Sequence, residues 1–409
     1  MNRILVVVPT RNRARLAQAA IASVLRQGVA TLILVSDNST NPAESEELER
    51  HCAGLHSAAV TYVRPEQPLA MTPHWEWALN RGLKLGGFTH VLFLTDRMVF
   101  KAHALVEIAR VAALHPASVI SYNYDRVDDD RQPVVLDQRD WTGRLFEIPS
   151  TQLLRLSAGA ILPPCIPRPL NAVVPVEVLA AVRRRFGSVF TSFAPDYALA
   201  YRMLTVLDSI LYYDVPALVH YAQGRSNGTT YSKGIASRDQ VDFMANLGGA
   251  MHNAAAPVAA FHTATNPIFH EYGIAKAAAE PGRFPEIDRF QYLGMIDLDS
   301  RQIVNPELAK RTAALLRANG WRRRDRFRWL LQRVAGYLRA DPLGALAAAL
   351  RRQRRFATVE AALEYANEHP RRARPNARHF YIWFLLDPTG VVREVQAASA
   401  PGIPLGRTA

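Results

Sequence analysis

Four short strand-like runs, rich in apolar and β-branched residues, are the feature that most constrains the fold. They cover residues 4–8, 32–35, 60–63 and 91–94, and segments with helical spacing of apolar residues separate them. Such runs are typical of strands buried on both faces of a parallel sheet. Strands that alternate with helices predict a doubly wound α/β domain, whose ligand crevice lies at the carboxyl ends of the strands.

The pattern changes in the second half of the chain. We expect the α/β domain to span residues 1–245 and a mostly α-helical, basic region, closed by a terminal β-hairpin, to span residues 246–409. The formal net charge is +13, and about +10 of it falls in residues 251–409. The excess charge therefore belongs to the helical region. No motif for reading nucleic acid accompanies it, so no nucleic-acid partner is expected.

The composition excludes a disordered chain and a disulfide scaffold. Apolar residues make up 49% and charged residues 21% of the chain, which is typical of globular domains. The two cysteines, Cys52 and Cys165, are too few for a disulfide framework and suit a reducing compartment. The first residues lack the pattern of a signal peptide, and no apolar run approaches the roughly 20 residues of a spanning helix. We therefore expect a cytoplasmic protein.

Polar motifs follow the predicted strands in a fixed order along the chain. They occupy residues 8–13, 35–40, 78–96 and 194–202. Their order and spacing resemble the family 2 glycosyltransferases of the GT-A fold, over about residues 3–235. The resemblance implies a Rossmann-like, mainly parallel sheet and a nucleotide-sugar donor bound at its carboxyl edge.

The resemblance implies a donor site made by the first three motifs. Thr10, Arg11 and Arg13 would cradle the nucleoside and its phosphates, with the guanidinium plane of Arg11 stacking on the base. Asp37 would accept a hydrogen bond from the base, and Asn80 would approach the nucleotide. Each has a structural alternative: a solvated loop charge for Arg11, an Asx turn for Asp37 and a helix cap for Asn80.

The end of the fourth strand departs from the family pattern. The family carries Asp-x-Asp or Asp-Asp there to hold a divalent metal on the diphosphate, whereas this chain has Thr95, Asp96 and Arg97. Either Asp96, helped by His220, keeps a weak Mn²⁺ or Mg²⁺ site, or Arg97 supplies the positive charge itself. The second alternative is our preferred hypothesis. His220 and Arg225 are further candidates for contacting the diphosphate.

Asp196 is the predicted catalytic base. The resemblance implies an inverting transfer, in which a carboxylate takes the proton of the acceptor hydroxyl. The sequence has Pro195 where an acid often precedes the base, and a helix cap is the structural alternative for Asp196. Tyr197 and Trp75 are predicted to contact the acceptor, because sugars stack on aromatic faces. Packing in the core is the alternative for Trp75.

The predicted function is therefore an inverting glycosyltransferase. The donor would be a nucleotide sugar, linked to UDP by default, and the acceptor a glycan or a lipid-linked saccharide. A catalytically silent GT-A-like protein that binds nucleotide sugars or polyanions, or serves as a scaffold, is the alternative.

A basic helix over residues 322–339 bears on where the protein acts. One side of it carries an apolar stripe, formed by Phe327, Leu330, Leu331, Val334 and Leu338. The sequence is consistent with two roles for this stripe. It would hold the protein peripherally on an anionic membrane at the inner face, or it would pack on the catalytic domain or on a second copy in a homodimer.

Overall fold

The computed structural model describes residues 3–138, 141–191, 194–222, 227–235, 253–340, 353–369 and 391–395. Within these ranges there are twelve strands and thirteen α-helices. The strands are β1 (Ile4–Thr10), β2 (Thr31–Asp37), β3 (Val60–Val63), β4 (His90–Phe93), β5 (Met98–Phe100), β6 (Ile120–Asp128), β7 (Val134–Asp137), β8 (Leu145–Pro149), β9 (Ala172–Pro175), β10 (Ser209–His220), β11 (Arg354–Phe356) and β12 (Arg393–Val395).

The helices lie between and after the strands. They are α1 (Ala14–Leu25), α2 (Pro42–Gly54), α3 (Met71–Leu83), α4 (Ala104–Leu114), α5 (Ser150–Ala158), α6 (Val176–Phe186), α7 (Pro195–Val206), α8 (Asn227–Lys233), α9 (Thr265–Ala278), α10 (Arg289–Ser300), α11 (Pro306–Ala318), α12 (Arg323–Ala340) and α13 (Val359–Glu368). A short 3-10 helix, Pro169–Asn171, precedes β9.

The strands form one mixed sheet in the order β12-β8-β10-β6-β9-β4-β1-β2-β3. Strands β3, β2, β1 and β4 run parallel to one another, and β6 runs parallel to β10. Strand β9 pairs antiparallel with both β4 and β6 and so joins the two parallel groups. The predicted α/β architecture, with helices between the strands of a sheet that contains parallel groups, is confirmed.

The parallel strands bring the predicted motifs to one edge of the sheet. Thr10 at the end of β1 lies opposite Asp37 at the end of β2. Strand β4 pairs with the other side of β1, and it ends two residues before Thr95. The apolar runs are buried along β1, β2 and β4, as the sequence predicts. The edge that follows them carries the polar side chains.

Helices cover both faces of the sheet, and each face has its own apolar core. One core joins the sheet to α3, α5, α6 and α7, and the other joins it to α1 and α4. Helix α11 begins after Asn305, whose side chain accepts hydrogen bonds from the backbone of Glu307 and Leu308, with Pro306 in the first turn.

The C-terminal region packs directly onto the α/β region. Tyr272 and Ala275 of α9 lie in the same core as Leu199 and Tyr201 of α7. Strand β11 pairs with β7, and β12 pairs with β8, so two C-terminal strands extend the sheet. The predicted terminal strand is therefore present. The other strand of the expected terminal hairpin and the expected boundary near residue 245 lie outside the described residues.

Helix α12 does not bury the side that the sequence suggested for packing. Trp329 is buried against Gly294 of α10, whereas Phe327, Leu331 and Val334 are exposed. The expectation that this stripe packs on the catalytic domain is therefore not met for these residues. Its spacing was helical, as predicted, but the bulkier Trp329 on the opposite side fills the contact with α10.

Within the described part of the chain, none of the helices is both long enough and apolar enough to cross a membrane.

Candidate active site

A cavity of about 350 Å³ lies at the carboxyl edge of the sheet. Its lining comes from segments that are far apart in the sequence. Its polar lining includes Thr10, Arg11, Arg13, Asn38, His74, Thr95, Asp96, Arg97, Arg168, Asp196, Tyr197, His220 and Tyr231. Nine residues that the sequence analysis named for the donor, the acceptor or the base are among them, and Trp75 also reaches the cavity wall.

Asp96 is the centre of the first polar cluster. The Thr10 hydroxyl donates a hydrogen bond to Asp96 Oδ2 at 2.8 Å, and Arg13 Nη1 lies 3.5 Å from Asp96 Oδ1. Both carboxylate oxygens are therefore engaged within the protein. The contact also holds the β1 loop against the end of β4, which fixes the position of the arginine relative to the cavity.

Arg97 follows immediately and pairs with a histidine. Its Nη1 donates to His220 Nε2 at 3.2 Å, while its buried Nε has no hydrogen-bond partner among the described residues. Burial lowers the pKa of Arg97 to about 10, although the Asp96 carboxylate opposes the shift. At neutral pH the guanidinium stays charged. A buried cation with an unused donor beside a cavity is arranged to receive an anion.

His220 is held as a neutral imidazole. Burial, and then the charges of Arg97 and Arg168, lower its pKa well below the usual value. Its ring also meets the Tyr124 ring edge-on, with centroids 5.9 Å apart. A neutral imidazole that accepts from Arg97 orients this guanidinium without cancelling its charge.

The residues at Asp96 do not fit a conventional divalent metal site. Among the described residues, no three histidine, cysteine, aspartate or glutamate side chains come together as metal ligands. Asp96 already accepts from Thr10 and faces Arg13, and the next residue is a cation. Mn²⁺ and Mg²⁺ prefer several carboxylate or water oxygens and no adjacent positive charge.

Asp196 lies in the first turn of α7, directly after Pro195. Burial raises the pKa of its carboxyl, and the positive charge of Arg168 partly offsets this effect. Among the described residues, neither arginine nor lysine lies within ion-pair distance of Asp196. A carboxylate in this setting is more basic than an exposed one and is not locked in an ion pair, which suits a proton acceptor.

The sequence analysis missed Arg168, which precedes the short 3-10 helix. Its Nη2 donates to the Tyr124 hydroxyl at 3.3 Å, and its Nε donates to Asn171 Oδ1 at 3.3 Å. The guanidinium also lies 5.8 Å from the ring centre of Tyr124 and 5.5 Å from that of Tyr197. These contacts hold its charge near Asp196 without direct pairing. Proline-rich sequence around it, with no strand-end pattern, gave no signal of this position.

The opposite wall of the cavity is less polar. The Ser36 hydroxyl and His74 Nε2 share a hydrogen bond at 2.8 Å. Burial lowers the pKa of His74 to about 3. Trp75 is largely core, since it packs on Phe93 and Phe190 with ring centres 5.5 and 5.6 Å away. Three residues from the C-terminal region complete the wall, which the sequence analysis did not foresee: Ala264, Pro267 and Ile268.

Three predicted donor residues are placed elsewhere or lie outside the described residues. Asp37 does not line the cavity; its carboxylate accepts from the Ser39 backbone and from the Tyr62 hydroxyl at 2.8 Å. Asn80 also lies outside the cavity lining, and its Oδ1 accepts from Arg183 at 2.6 Å. Both contacts are structural. Arg225 falls among residues 223–226, which are outside the described residues.

Arg11 and Thr95 do reach the cavity. Arg11 Nη1 donates to the backbone oxygen of Leu69 at 3.2 Å, which holds the side chain along the cavity rim. The buried hydroxyl of Thr95 has no hydrogen-bond partner among the described residues. Both residues therefore belong to the lining of the cavity.

Comparison with known proteins finds one family match, in the N-terminal region. Residues 5–167 match the family described as Glycosyl transferase family 2. No curated protein matches the chain. A structure of S. aureus TarS residues 1-349 with UDP-GlcNAc is 14% identical, with 76% of this chain and 88% of that chain covered and a TM-score of 0.43. A second S. aureus TarS structure is 12% identical, with 76% and 55% covered and a TM-score of 0.42.

Proposed function

We propose that the chain is an inverting glycosyltransferase that uses a nucleotide-sugar donor, and the match of residues 5–167 to the Glycosyl transferase family 2 model supports this proposal. One observation carries the proposal. A carboxylate suited to proton transfer, Asp196, and a cationic cluster around Arg97 line the same cavity. Inverting transfer needs both, a base for the acceptor hydroxyl and positive charge for the departing diphosphate.

The charge of the cavity supports a diphosphate ligand. The lining contains four arginines and two carboxylates, namely Arg11, Arg13, Arg97, Arg168, Asp96 and Asp196. The two lining histidines, His74 and His220, have lowered pKa values and add no charge at neutral pH. The positive excess matches the negative charge of a nucleoside diphosphate sugar. We take UDP as the default nucleotide, as the family resemblance suggests.

Arg97 is proposed to replace the metal of the family pattern. The support is the set of groups around Asp96, whose oxygens already contact Thr10 and Arg13. The unused Nε of Arg97 would donate to a phosphate oxygen, and Arg13 would contribute a second positive charge. No step of the proposed reaction passes through a metal ion.

The proposed reaction is a single displacement. The acceptor oxygen attacks the anomeric carbon, and Asp196 takes its proton as the new C–O bond forms. The bond from the anomeric carbon to the diphosphate oxygen breaks, and its electron pair leaves with the nucleoside diphosphate. Arg97 and Arg13 stabilise the charge that grows on this leaving group. Attack opposite the leaving group inverts the anomeric centre.

The proposed acceptor is a glycan or a lipid-linked saccharide, on the family resemblance alone. Tyr197 lies beside Asp196 in the cavity lining, where it would contact an acceptor sugar. We propose the cytoplasm as the compartment. Its support is that Cys52 and Cys165 are both free and buried.

A thermal-shift panel of UDP, GDP, CDP and dTDP, each with EDTA and with Mn²⁺, tests this proposal. We expect at least one nucleotide to raise the melting temperature equally in EDTA and in Mn²⁺, because binding a ligand stabilises the folded state. Stabilisation that appears only with Mn²⁺ would contradict the role of Arg97. An unchanged melting temperature with all four nucleotides, in EDTA and in Mn²⁺, would contradict the proposed donor site and favour a catalytically silent GT-A-like protein.

A further inference from the structure

Helix α12 exposes a row of large apolar side chains on one side. Phe327 is 63% exposed, Leu331 and Val334 are each 52% exposed, and Leu330 is 36% exposed. These four side chains recur at positions i, i+3, i+4 and i+7, so they form one continuous stripe, which spans roughly 10 Å along the helix. We call these four residues the apolar stripe. Four large apolar side chains grouped in this way mark an interaction surface.

The apolar stripe is not needed to hold the helix in place. Trp329, on the opposite side, is only 2% exposed and packs on Gly294 of α10. Arg326 forms hydrogen bonds with both carboxylate oxygens of the buried Asp297 of α10. The helix is thus anchored through one side and presents the other to its surroundings.

Positive charge surrounds the apolar stripe. The helix has six arginines and a single aspartate. Arg323 and Arg324, one turn before Phe327, are exposed, and so is Arg328 beside it. Arg328 also lies over the ring of Phe290, 5.5 Å from its centre. An apolar stripe bordered by arginines on a helix surface is complementary to a layer of acidic headgroups above hydrocarbon.

We propose that the apolar stripe of α12 docks the protein onto an anionic phospholipid surface. The helix lies parallel to the membrane, with the apolar stripe among the acyl chains and the flanking arginines at the headgroups. A second copy of the chain is a poorer occupant, because pairing two such helices brings their arginines together. Nucleic acid would use the arginines but leave Phe327, Leu331 and Val334 in water.

Vesicle sedimentation of the full-length protein tests the proposal. The lipids are phosphatidylcholine alone and phosphatidylcholine with 30% phosphatidylglycerol. The variants are Phe327→Ser with Leu331→Ser in the stripe, and Leu85→Ser with Leu114→Ser as a control. The control residues are matched, since Leu85 and Leu114 are 48% and 45% exposed but lie outside α12. Melting temperatures of all proteins confirm that each is folded.

We expect the wild-type protein and the control to bind the anionic vesicles and to bind phosphatidylcholine at least ten-fold more weakly. The stripe variant should lose at least ten-fold in affinity for anionic vesicles. A variant with Arg323→Gln and Arg324→Gln should bind less tightly, and raising the salt concentration should weaken binding of the wild type.

Three results would overturn the proposal. Wild-type protein that does not sediment with anionic vesicles excludes a lipid surface. Equal binding by the wild type and the stripe variant assigns binding to another part of the chain. A dimer of the wild type that the stripe variant converts to a monomer, without vesicle binding, identifies a second copy as the occupant. None of these readouts depends on sugar transfer.

Discussion

Arg97 and His220 form a charged–neutral pair at the edge of the cavity. Arg97 Nη1 donates to His220 Nε2 at 3.2 Å, so the imidazole must be neutral at that nitrogen. Burial and the neighbouring guanidinium lower the pKa of His220, which keeps the ring neutral across the physiological range. The histidine therefore orients the guanidinium and leaves its charge for an anionic ligand. This arrangement supports the proposal that Arg97 supplies positive charge to the diphosphate in place of a metal ion.

Substituting Arg97 should impair the transfer step strongly. Arg97→Gln removes the charge at the diphosphate, and we expect kcat to fall about 100-fold, as when a donor to a developing anion is removed. Arg97→Lys keeps a charge but loses the planar fork and should recover only part of the rate. Steady-state kinetics in EDTA measure both. A wild-type enzyme that EDTA inactivates and Mn²⁺ restores would contradict this role.

Substituting Arg168 should move the pH dependence of transfer. Asp196 must be ionised to accept a proton, so activity falls as the pH drops through its pKa. The charge of Arg168 stabilises the carboxylate, and burial opposes it. Arg168→Met should raise the pKa of Asp196 and move the acidic limb of kcat to higher pH.

Two further variants control this pH experiment. Arg168→Lys should keep the limb near its wild-type position, since the charge is retained. Arg155→Met, a loss of charge at an exposed position on α5, should not move it. An acidic limb that is the same in Arg168→Met and in the wild type would show that Arg168 does not act on Asp196.

A buried ion pair between Lys101 and Asp125 should contribute strongly to stability. The two side chains are in direct contact, and both are almost fully buried. Asp125→Ala leaves the ammonium group of Lys101 buried without this partner, which should cost about 3–5 kcal/mol of unfolding free energy. Glu307→Ala removes the exposed pair with Lys310 and should cost at most about 1 kcal/mol. Urea denaturation followed by circular dichroism measures both, and equal losses would contradict the expectation.

The sequence predicted the strands that can be recognised from a short run of neighbouring residues. Strands β1, β2 and β4 were found because each is a run of apolar residues that is buried on both faces, and β3 was found as a short run rich in β-branched residues, half-buried at the edge of the sheet. Strand β9 was not found, although it joins the two halves of the sheet. Strand β9 is defined by its antiparallel pairing with β4 and β6, which lie far from it in the chain. A four-residue segment does not reveal such pairing in its own sequence.

The candidate site likewise contains residues that the sequence predicted and a residue that it did not. Thr10, Asp96 and His220 were predicted from motifs at strand ends that resemble those of the family, and parallel strands bring such ends together. Arg168 reaches the cavity only through the tertiary position of a proline-rich loop, which no periodicity reveals. Helix α12 shows a related limit, since the spacing of its apolar residues predicted a stripe but not that Trp329 would occupy the buried side.

Asp196 is proposed as the base of an inverting sugar transfer, and the variant Asp196→Asn tests this role. The substitution keeps the size of the side chain and removes its ability to accept a proton. We predict unchanged binding of the nucleotide identified in the thermal-shift panel and a fall in kcat of at least about 100-fold, the usual contribution of a general base. Transfer at the wild-type rate by Asp196→Asn, with nucleotide binding intact, would exclude Asp196 as the base.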